Sequence, residues 1–480
     1  MHPASLLVAA LALAPFASHA AESGTAAADT WSGEWVGTLN DEVGIVWNLV
    51  EKDGALIGSI GPLDVGAVLA IDEADAGAAR LRFTVPGEGR FKGRLTPATR
   101  GAAYPTVEGT WRGDDGTARM VLTKRPEGTL PRRTLWGNER TWLGTVAARS
   151  ASVAAGDLDG DGDTDVVVGN GRHWPQANRL FFNNGEGTFS RAELLGGQLD
   201  TTYKVVIVDV DVDGDADIVV GNEDLHNVVY LNDGTGTFTA GAPFGAPGVS
   251  TRDLVPLHLD DDEVIDLLEL TRAGPNTLFV NDGTGVFTPS GSLGGTEDSI
   301  GAAAAADLDG DGHTDLVFVD RDRGENPVFF GSDTGFEASH TIGRPTDQTH
   351  DVAIADVDGD GHLDIVTVSI EQPNQVHFGD GARGFEETVT FGEATARSYA
   401  VAVGDLDDDG DLDLVSGNQT GRNVAYINLG DGRSFHRMPF GDDARTYDIA
   451  ISDLNGDGFP EVVTADTGAV NTVYWNRSLD

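Results

Sequence analysis

Aspartate-rich segments recur along most of the chain, and their side chains are of the kind that binds a hard cation. The first segment reads Asp157-Leu-Asp-Gly-Asp-Gly-Asp-Thr-Asp165. Equivalent segments begin at Asp209, His258, Asp307, Asp356, Asp405 and Asp453, with spacings of 52, 49, 49, 49, 49 and 48 residues. Spacing of this regularity indicates seven tandem structural repeats.

Each segment has the residue pattern of a calcium-binding loop. Carboxylates at positions 1, 3 and 5 of a tight loop point at one centre, position 7 offers its backbone carbonyl and position 9 closes the shell. Glycine at position 6 permits the sharp turn and is present in six segments, whereas the third has Glu263 there. The alternative is that the aspartates form Asx turns that cap hairpins. Crowded carboxylates repel one another, and seven such clusters favour bound cations.

The residues around the loops predict β-strands. A β-branched run such as 217–222 follows each loop, then an Asn opens a second run such as 227–232, and a Gly-rich turn precedes a Phe. Four strands in about 49 residues, repeated seven times, predict an all-β, seven-bladed β-propeller over residues 134–480. The last repeat stops after its third strand, so we expect residues near 134–146 to complete the final blade and remove an exposed edge.

The segments before the propeller predict an export signal and a second domain. Residues 1–20 contain an apolar run and a small-residue cleavage site and are interpreted as a signal peptide, which predicts a periplasmic or extracellular protein. Residues 30–125 contain short alternating strands and predict a small antiparallel β-barrel or sandwich, whose Trp35-Val-Gly37 resembles the opening of lipocalin-type barrels. Residues 126–133 are the predicted linker.

Composition limits the classes of partner. The formal net charge of −47 disfavours binding to nucleic acid and favours divalent cations or cationic partners. The sequence predicts no membrane span. With no cysteine, the chain cannot form disulfides, and we expect an exported protein of this kind to be stabilised by bound metal instead.

The loop pattern, with its Phe and Gly spacing, resembles the FG-GAP repeat family, also described as VCBS repeats, which includes the propeller of integrin α subunits. The resemblance covers residues 134–480 and implies structural calcium, about five to seven ions, between the first two strands of each blade. The ligands it implies are Asp157, Asp159, Asp161 and Asp165; Asp209, Asp211, Asp213 and Asp217; Asp260, Asp262 and Asp266; Asp307, Asp309, Asp311 and Asp315; Asp356, Asp358, Asp360 and Asp364; Asp405, Asp407, Asp409 and Asp413; and Asp453, Asn455, Asp457 and Glu461. The third set departs from the pattern because His258 replaces its first aspartate.

A ligand is expected on the face opposite the calcium loops, which is the ligand face that the resemblance implies. The candidate residues on that face are Arg172, His173, Trp174, Tyr203, Lys204, Arg252, Asp253, His350, Asp351, Tyr399, Tyr447 and Asp448, with Arg272, Arg321 and Arg422 in neighbouring loops. The alternative is an ordinary solvated surface, since propeller loops are polar.

The expected function is that of a binding or adhesion module for an extracellular or envelope glycan or protein. The chain contains no nucleophile elbow, zinc-protease motif or phosphate-binding loop, so the sequence favours a binding module over an enzyme. The alternative is a polysaccharide lyase or another carbohydrate-active enzyme, in which the His, Tyr, Arg and Lys side chains of this face supply the base and the charge neutraliser.

Overall fold

The chain consists of strands and turns wherever its structure is defined. The computed structural model describes residues 33–39, 43–52, 55–62, 69–77, 80–85, 89–96, 106–113, 116–124, 133–189, 191–260, 262, 264–272, 274–294, 300–322, 324 and 326–478, and these residues form no helix. Accordingly, the described part of the chain offers no helix of the length and apolarity that a membrane crossing requires. The predicted signal peptide 1–20 and residues 126–132 of the predicted linker lie outside the described residues.

The N-terminal strands form one antiparallel sheet that closes on itself. They are Gly33–Leu39 (β1), Val43–Lys52 (β2), Ala55–Pro62 (β3), Leu69–Gly77 (β4), Arg80–Val85 (β5), Gly89–Thr96 (β6), Thr106–Gly113 (β7) and Gly116–Lys124 (β8). Each strand pairs with the next, and β1 also pairs with β8, which makes the sheet a closed barrel. The large aromatic side chains Trp35, Phe83, Phe91 and Trp111 are buried.

The remaining strands form seven antiparallel sheets of four strands each. The first three sheets contain Ser150–Gly156 (β10), Asp165–Asn170 (β11), Arg179–Phe182 (β12) and Arg191–Leu194 (β13); Thr202–Val208 (β14), Asp217–Asn222 (β15), Asn227–Asn232 (β16) and Phe238–Phe244 (β17); and Ser250–Leu257 (β18), Asp266–Arg272 (β19), Asn276–Asn281 (β20) and Phe287–Leu293 (β21). The next three contain Ile300–Ala306 (β22), Asp315–Asp320 (β23), Asn326–Phe330 (β24) and Glu337–Ile342 (β25); Thr349–Ala355 (β26), Asp364–Ser369 (β27), Asn374–Phe378 (β28) and Glu387–Phe391 (β29); and Ser398–Gly404 (β30), Asp413–Asn418 (β31), Asn423–Asn428 (β32) and Phe435–Phe440 (β33).

The seventh sheet joins the two ends of the repeat region. It contains Thr446–Ser452 (β34), Glu461–Asp466 (β35), Thr472–Ser478 (β36) and Arg133–Trp142 (β9), in that order. Strand β9 pairs antiparallel with β36, which confirms the prediction that residues near 134–146 complete the last sheet. The pairing covers an edge of β36 that would otherwise expose unpaired backbone groups.

The seven sheets follow one another in a cyclic order. The first strands β10, β14, β18, β22, β26, β30 and β34 each contact the next, and β34 contacts β10. This cyclic arrangement of four-stranded antiparallel sheets is propeller-like. The second strands are buried at every residue except Arg272, at the end of β19, because neighbouring sheets pack on both of their faces. The continuous apolar runs after the aspartate segments therefore supply the core between sheets.

Candidate functional site

The aspartate segments lie in the turns between the first and second strands of the sheets. In five of them, three carboxylate oxygens from different aspartates lie within 4.8 Å of one another. The five groups are Asp157, Asp159 and Asp165; Asp209, Asp211 and Asp217; Asp307, Asp309 and Asp311; Asp356, Asp358 and Asp360; and Asp405, Asp407 and Asp413. The structure therefore brings together carboxylates from five of the predicted ligand sets.

Backbone hydrogen bonds fix the shape of each loop. In the first loop, the amides of Gly160 and Gly162 donate to the two oxygens of Asp157 at 2.8 and 3.0 Å. Gly162 has φ 90°, and the glycines at position 6 of the other five loops have φ between 87° and 93°. A side chain is strained in this left-handed region, which explains glycine at that position.

The aspartate at position 9 also holds neighbouring strands in place. Asp217 accepts hydrogen bonds from the amides of Val210 and Asn232 at 2.9 and 2.7 Å. The side chain of Asn232 in turn donates to the carbonyl of Leu158, in the loop of the preceding sheet, at 3.0 Å. The same Asn-to-carbonyl bond joins Asn281 to Val210 at 2.7 Å. Where an asparagine donates its amide to position 9, the pair therefore links two neighbouring loops across the packing between sheets.

The loop oxygens fit a divalent cation. Asp159 Oδ1, Asp209 Oδ1 and Asp211 Oδ1 are buried and have no hydrogen-bond partner among the described residues. Burial, supplemented by the neighbouring aspartates, raises the pKa of Asp165 and Asp217 to about 6. Buried carboxylates that repel one another are stabilised by a cation of opposite charge. The all-oxygen donor set suits calcium or magnesium rather than a thiophilic metal.

The third and seventh loops differ from the other five. In the third, His258 Nδ1 donates to the carbonyl of Val264 at 3.1 Å, so an imidazole takes the backbone oxygen of position 7. Among the described residues, neither Asp260, Asp262 and Asp266 nor the acids of the seventh loop bring three carboxylate oxygens within 4.8 Å of one another. In the seventh, the Asn455 amide donates to Glu461 Oε1 at 3.1 Å.

Three loops receive an arginine as well. Arg383 Nε lies 2.6 Å from Asp309, and Arg433 Nη1 lies 2.8 Å from Asp358. Arg383 and Arg433 come from the sheet that follows the loop, and each stacks on a phenylalanine at the end of a third strand. The stacked rings are Phe330, 4.6 Å from the Arg383 guanidinium, and Phe378, 4.1 Å from that of Arg433. Arg191 makes a similar pair with Asp159 in the first loop at 3.3 Å.

The opposite ends of the first strands surround a cavity. A register shift near the start of each first strand leaves one residue unpaired, as at Tyr203, Arg252 and His350. These residues and their neighbours enclose a cavity of about 250 Å³, which we call the mouth. The mouth is lined by Ala151, Arg172, His173, Tyr203, Lys204, Arg252, Asp253, Arg272, Ile300, Gly301, Ala302, Arg321, His350, Asp351, Tyr399, Tyr447 and Asp448.

The mouth contains eleven of the twelve candidate ligand residues expected from the sequence. The exception is Trp174, which is 60% exposed and lies outside the cavity with its ring centre 5.5 Å from the Arg149 guanidinium. Arg422 also lies outside and donates to the carbonyl of Gly441 at 2.8 Å. The small residues Ala151 and Gly301 were missed, although they occupy the same repeat position as Tyr203.

Arginines and tyrosines form the cationic part of the mouth. The Arg172 guanidinium lies 3.8 Å from the ring centre of Tyr447, and that of Arg252 lies 3.9 Å from the ring centre of Tyr203. Arg252 also forms an ion pair with Glu223 at 2.8 Å. Within the described residues, no carboxylate lies within 4.0 Å of Arg172 or Arg272, so both guanidinium charges remain available to a ligand.

His350 is held as a neutral imidazole. Its ring lies 3.9 Å from that of Tyr399, and its Nε2 is buried with no hydrogen-bond partner among the described residues. Burial and the nearby cations Arg321 and Arg172 lower its pKa to about 3. A buried ring nitrogen without a partner is costly unless a ligand or water supplies one.

The residues that follow the unpaired positions form a partly buried charge cluster. Lys204 Nζ lies 3.6 Å from Asp253 and 3.8 Å from Asp448, and Asp351 adds a third carboxylate. The attraction of these acids, Asp448 first, raises the pKa of Lys204. Burial raises the pKa of Asp351 to about 7.

Each of these aspartates also connects one sheet to another. Each carboxylate accepts a hydrogen bond from a backbone amide of another sheet. Ala303 donates to Asp253 at 3.2 Å, Val401 donates to Asp351 at 2.9 Å, and Val153 donates to Asp448 at 3.2 Å. Their carboxylates are therefore held in place before any ligand arrives.

Comparison with known families supports the repeat assignment. A model described as FG-GAP-like repeat matches residues 157–220, 258–318, 307–367, 356–416 and 405–464, which together make up more than half of the chain. No curated protein matches the chain. Similar solved structures include crystal structures of BBS1N in complex with ARL6DN, soaked with lead or with mercury. The lead-soaked structure is 12% identical in sequence, and the match covers 72% of this chain and 98% of the BBS1N chain. The mercury-soaked structure is 14% identical, and the match covers 72% of this chain and 99% of the BBS1N chain. Both have a TM-score of 0.48.

Proposed function

The chain belongs to the FG-GAP-like repeat family, and on that premise we propose that it is an exported, calcium-loaded, seven-bladed β-propeller that acts as a binding module. Its ligand is an anionic glycan or protein segment that enters the mouth. The protein carries calcium in five loops and uses the opposite face for recognition. The proposed location is the periplasm or the extracellular medium, on the basis of the predicted signal peptide.

The observation that carries this proposal is the concentration of arginines at one cavity of a very acidic chain. Arg172, Arg252, Arg272 and Arg321 line the mouth, although the formal net charge of the chain is −47. The planar guanidinium group binds carboxylates and sulfates through two parallel hydrogen bonds. The tyrosines beside the arginines supply flat surfaces on which a sugar ring or a peptide side chain can pack.

Calcium has a structural role in this proposal. Each loop joins two strands of one sheet, and position 9 connects the loop to the adjacent sheet, as Asp217 and Asn232 do. A cation that neutralises the loop therefore stabilises both the turn and the packing between sheets. Extracellular calcium sites are commonly weak, with dissociation constants as high as about 10⁻⁴ to 10⁻³ M, and depend on the calcium outside the cell.

A second candidate function is polysaccharide lyase activity in the same cavity. The observation in its favour is that His350, Tyr203, Tyr399 and Tyr447 converge there with arginines. Such an enzyme removes a proton next to a carboxylate and expels the glycosidic oxygen. The low pKa of His350 makes it a weak base, and burial raises the pKa of Tyr203, which opposes its use as a phenolate base. Charge and position therefore favour binding over proton removal.

The test is calorimetric titration of the calcium-loaded protein with acidic and neutral oligosaccharides of equal length and with acidic peptides. The variant Arg172→Gln should weaken binding of the preferred acidic ligand at least tenfold. Arg179→Gln is the matched control, because Arg179 does not line the mouth. Equal binding of neutral and acidic ligands, or an unchanged affinity in Arg172→Gln, would refute the proposed anion site. Release of unsaturated sugar products in the same samples would instead favour the lyase.

A further inference from the structure

The outer face of the N-terminal barrel carries a dense set of cations. Along β5 and β6, residues alternate between the barrel interior and the outside, so Leu81 and Phe91 are buried while Arg82 and Lys92 are exposed. The outward cations of β5–β8 are Arg80, Arg82, Arg90, Lys92, Arg94, Arg112 and Arg119, and we call them the basic face. They line an open depression of about 1230 Å³.

The strand register places these cations directly opposite one another. Arg80 pairs with Arg94 and Arg82 pairs with Lys92 between β5 and β6. Arg90 pairs in turn with Arg112 between β6 and β7. Like charges at directly opposed positions of antiparallel strands destabilise a sheet. The arrangement therefore costs folding stability that an anion on this face would restore.

Two acids lie opposite cations of the basic face in the strand register, Asp75 opposite Arg82 and Glu108 opposite Arg94, which leaves an excess of positive charge among the seven cations. Among the described residues that line the depression, Glu108 is the one acid, and it accepts a hydrogen bond from Arg119 Nε at 2.9 Å. The whole chain has 31 lysines and arginines against 78 acidic residues, so seven cations on four short strands are a strong local reversal of charge. Such a patch attracts anionic partners and raises their local concentration.

We propose that the basic face binds an acidic polysaccharide through its carboxylate or sulfate groups. Six of the seven cations are arginines, whose guanidinium groups bind planar or tetrahedral oxyanions in a bidentate manner. Adjacent strands are about 4.8 Å apart and alternate residues of a strand about 6.6 Å apart, so charges on successive sugars can contact separate arginines.

The chemistry of the face favours a polysaccharide over other polyanions. The aromatic residues among those that line the depression, Phe83 and Phe91, are 2% exposed, so they offer no platform for stacking nucleic acid bases. A rigid duplex carries about one charge per 1.7 Å and would extend beyond four strands toward the acidic remainder of the chain. Insertion into a membrane needs exposed apolar side chains, whereas the outward residues named above are charged.

This inference is independent of the proposed mouth ligand, because it concerns a different surface. The test uses the calcium-loaded full chain and chondroitin sulfate fragments of defined length, with calorimetric titration at several salt concentrations. The double variant Arg82→Gln/Arg94→Gln should bind at least tenfold more weakly and show a salt dependence shallower by about 1.5 in log–log slope, since each lost contact contributes about 0.7 to 0.9. Arg179→Gln, which lies outside both surfaces, should bind the fragments as the wild type does, and the double variant leaves every mouth residue unchanged.

Glu108→Gln is the matched control on the same face. It removes the acid that offsets Arg119 and should strengthen binding severalfold, the opposite sign to the arginine variants. The proposal is overturned if neither variant changes the affinity, or if uncharged dextran binds as tightly as chondroitin sulfate. The proposal is also overturned if duplex DNA or anionic lipid vesicles bind more tightly than chondroitin sulfate. It is likewise overturned if salt-sensitive self-association of the protein accounts for the effect of the arginine variants.

Discussion

Calcium in the second loop can be tested by a substitution whose effect should change sign when the metal is removed. Asp209 contributes to the cluster with Asp211 and Asp217, and one of its oxygens is buried without a hydrogen-bond partner among the described residues. Asp209→Asn removes one charge and leaves Asp217 to hold the backbone. Asp260→Asn in the third loop is the matched control, because that loop shows no such cluster among its described acids.

The magnitudes follow from mass action and from Coulomb repulsion. With free calcium at ten times its dissociation constant, one site adds about 1.4 kcal/mol to the free energy of unfolding, and five sites about 7. Without calcium, two carboxylates 4.8 Å apart repel each other by about 3 kcal/mol at an effective dielectric constant of about 20, and by less near solvent. Asp209→Asn should therefore destabilise the calcium-loaded protein and stabilise the calcium-free protein.

The assay combines native mass spectrometry with denaturant unfolding at saturating calcium and in chelator. We expect five bound ions in the wild type, four in Asp209→Asn and five in Asp260→Asn. We also expect the unfolding free energy of Asp209→Asn to cross that of the wild type between the two conditions. If Asp209→Asn binds as many ions as the wild type, or has the same effect with and without chelator, the loops are Asx turns and the metal assignment is wrong.

Three further predictions concern the closure of the ring and the buried charges. Trp475 is 8% exposed, and Trp475→Ala should lower the free energy of unfolding, measured by denaturant titration, by about 3 kcal/mol. Trp174 is 60% exposed, and Trp174→Ala should lower it by less than about 0.5 kcal/mol. Equal losses would contradict the closure between the first and last sheets. Lys204→Met should lower the free energy of unfolding by about 2 kcal/mol in the same assay, and adding Asp448→Asn should restore part of that loss. If the effects of the two substitutions simply add, the pairing of Lys204 with Asp448 is contradicted. Burial raises the pKa of Asp351 to about 7, so its protonation stabilises the fold below about pH 4, and this contribution falls as the pH rises and is gone above about pH 7. Relative to Asp351→Asn at saturating calcium, the wild type should therefore lose stability between about pH 4 and 7, and a parallel pH dependence of the two proteins would contradict this.

Repetition made much of the fold and of the mouth predictable from the sequence. The spacing of the aspartate segments places every first strand at the same position in its unit, so residues at equivalent positions, such as Tyr203, Arg252 and His350, were expected on one face. The unpaired position that brings them into the cavity is a backbone irregularity with no separate sequence signal. The incomplete last repeat likewise indicated that β9 pairs with β36.

Two features could not be predicted in the same way. The third loop has enough aspartates to suggest a metal site, but the bond from His258 to the carbonyl of Val264 becomes visible only when the loop conformation is known. The basic face was missed because the net charge of −47 averages over the chain. Its signal was the alternation in Arg80-Leu-Arg82 and in Arg90-Phe-Lys92-Gly-Arg94, which places every cation on the outer side of a strand.

The first strands explain how one repeat can serve both stability and recognition. Strand β26, for example, begins beside His350 and Asp351 in the mouth and ends at Ala355, next to the loop that starts with Asp356. Seven residues of strand separate the two ends by about 20 Å, so a loop can gain a cation without contact with the ligand. Because the second strands are buried except for Arg272 at the mouth end of β19, changes in the mouth residues alter the ligand surface while the loops and the core keep the ring closed. Recognition can therefore diversify at one end of the strands while the metal chemistry at the other end stays the same.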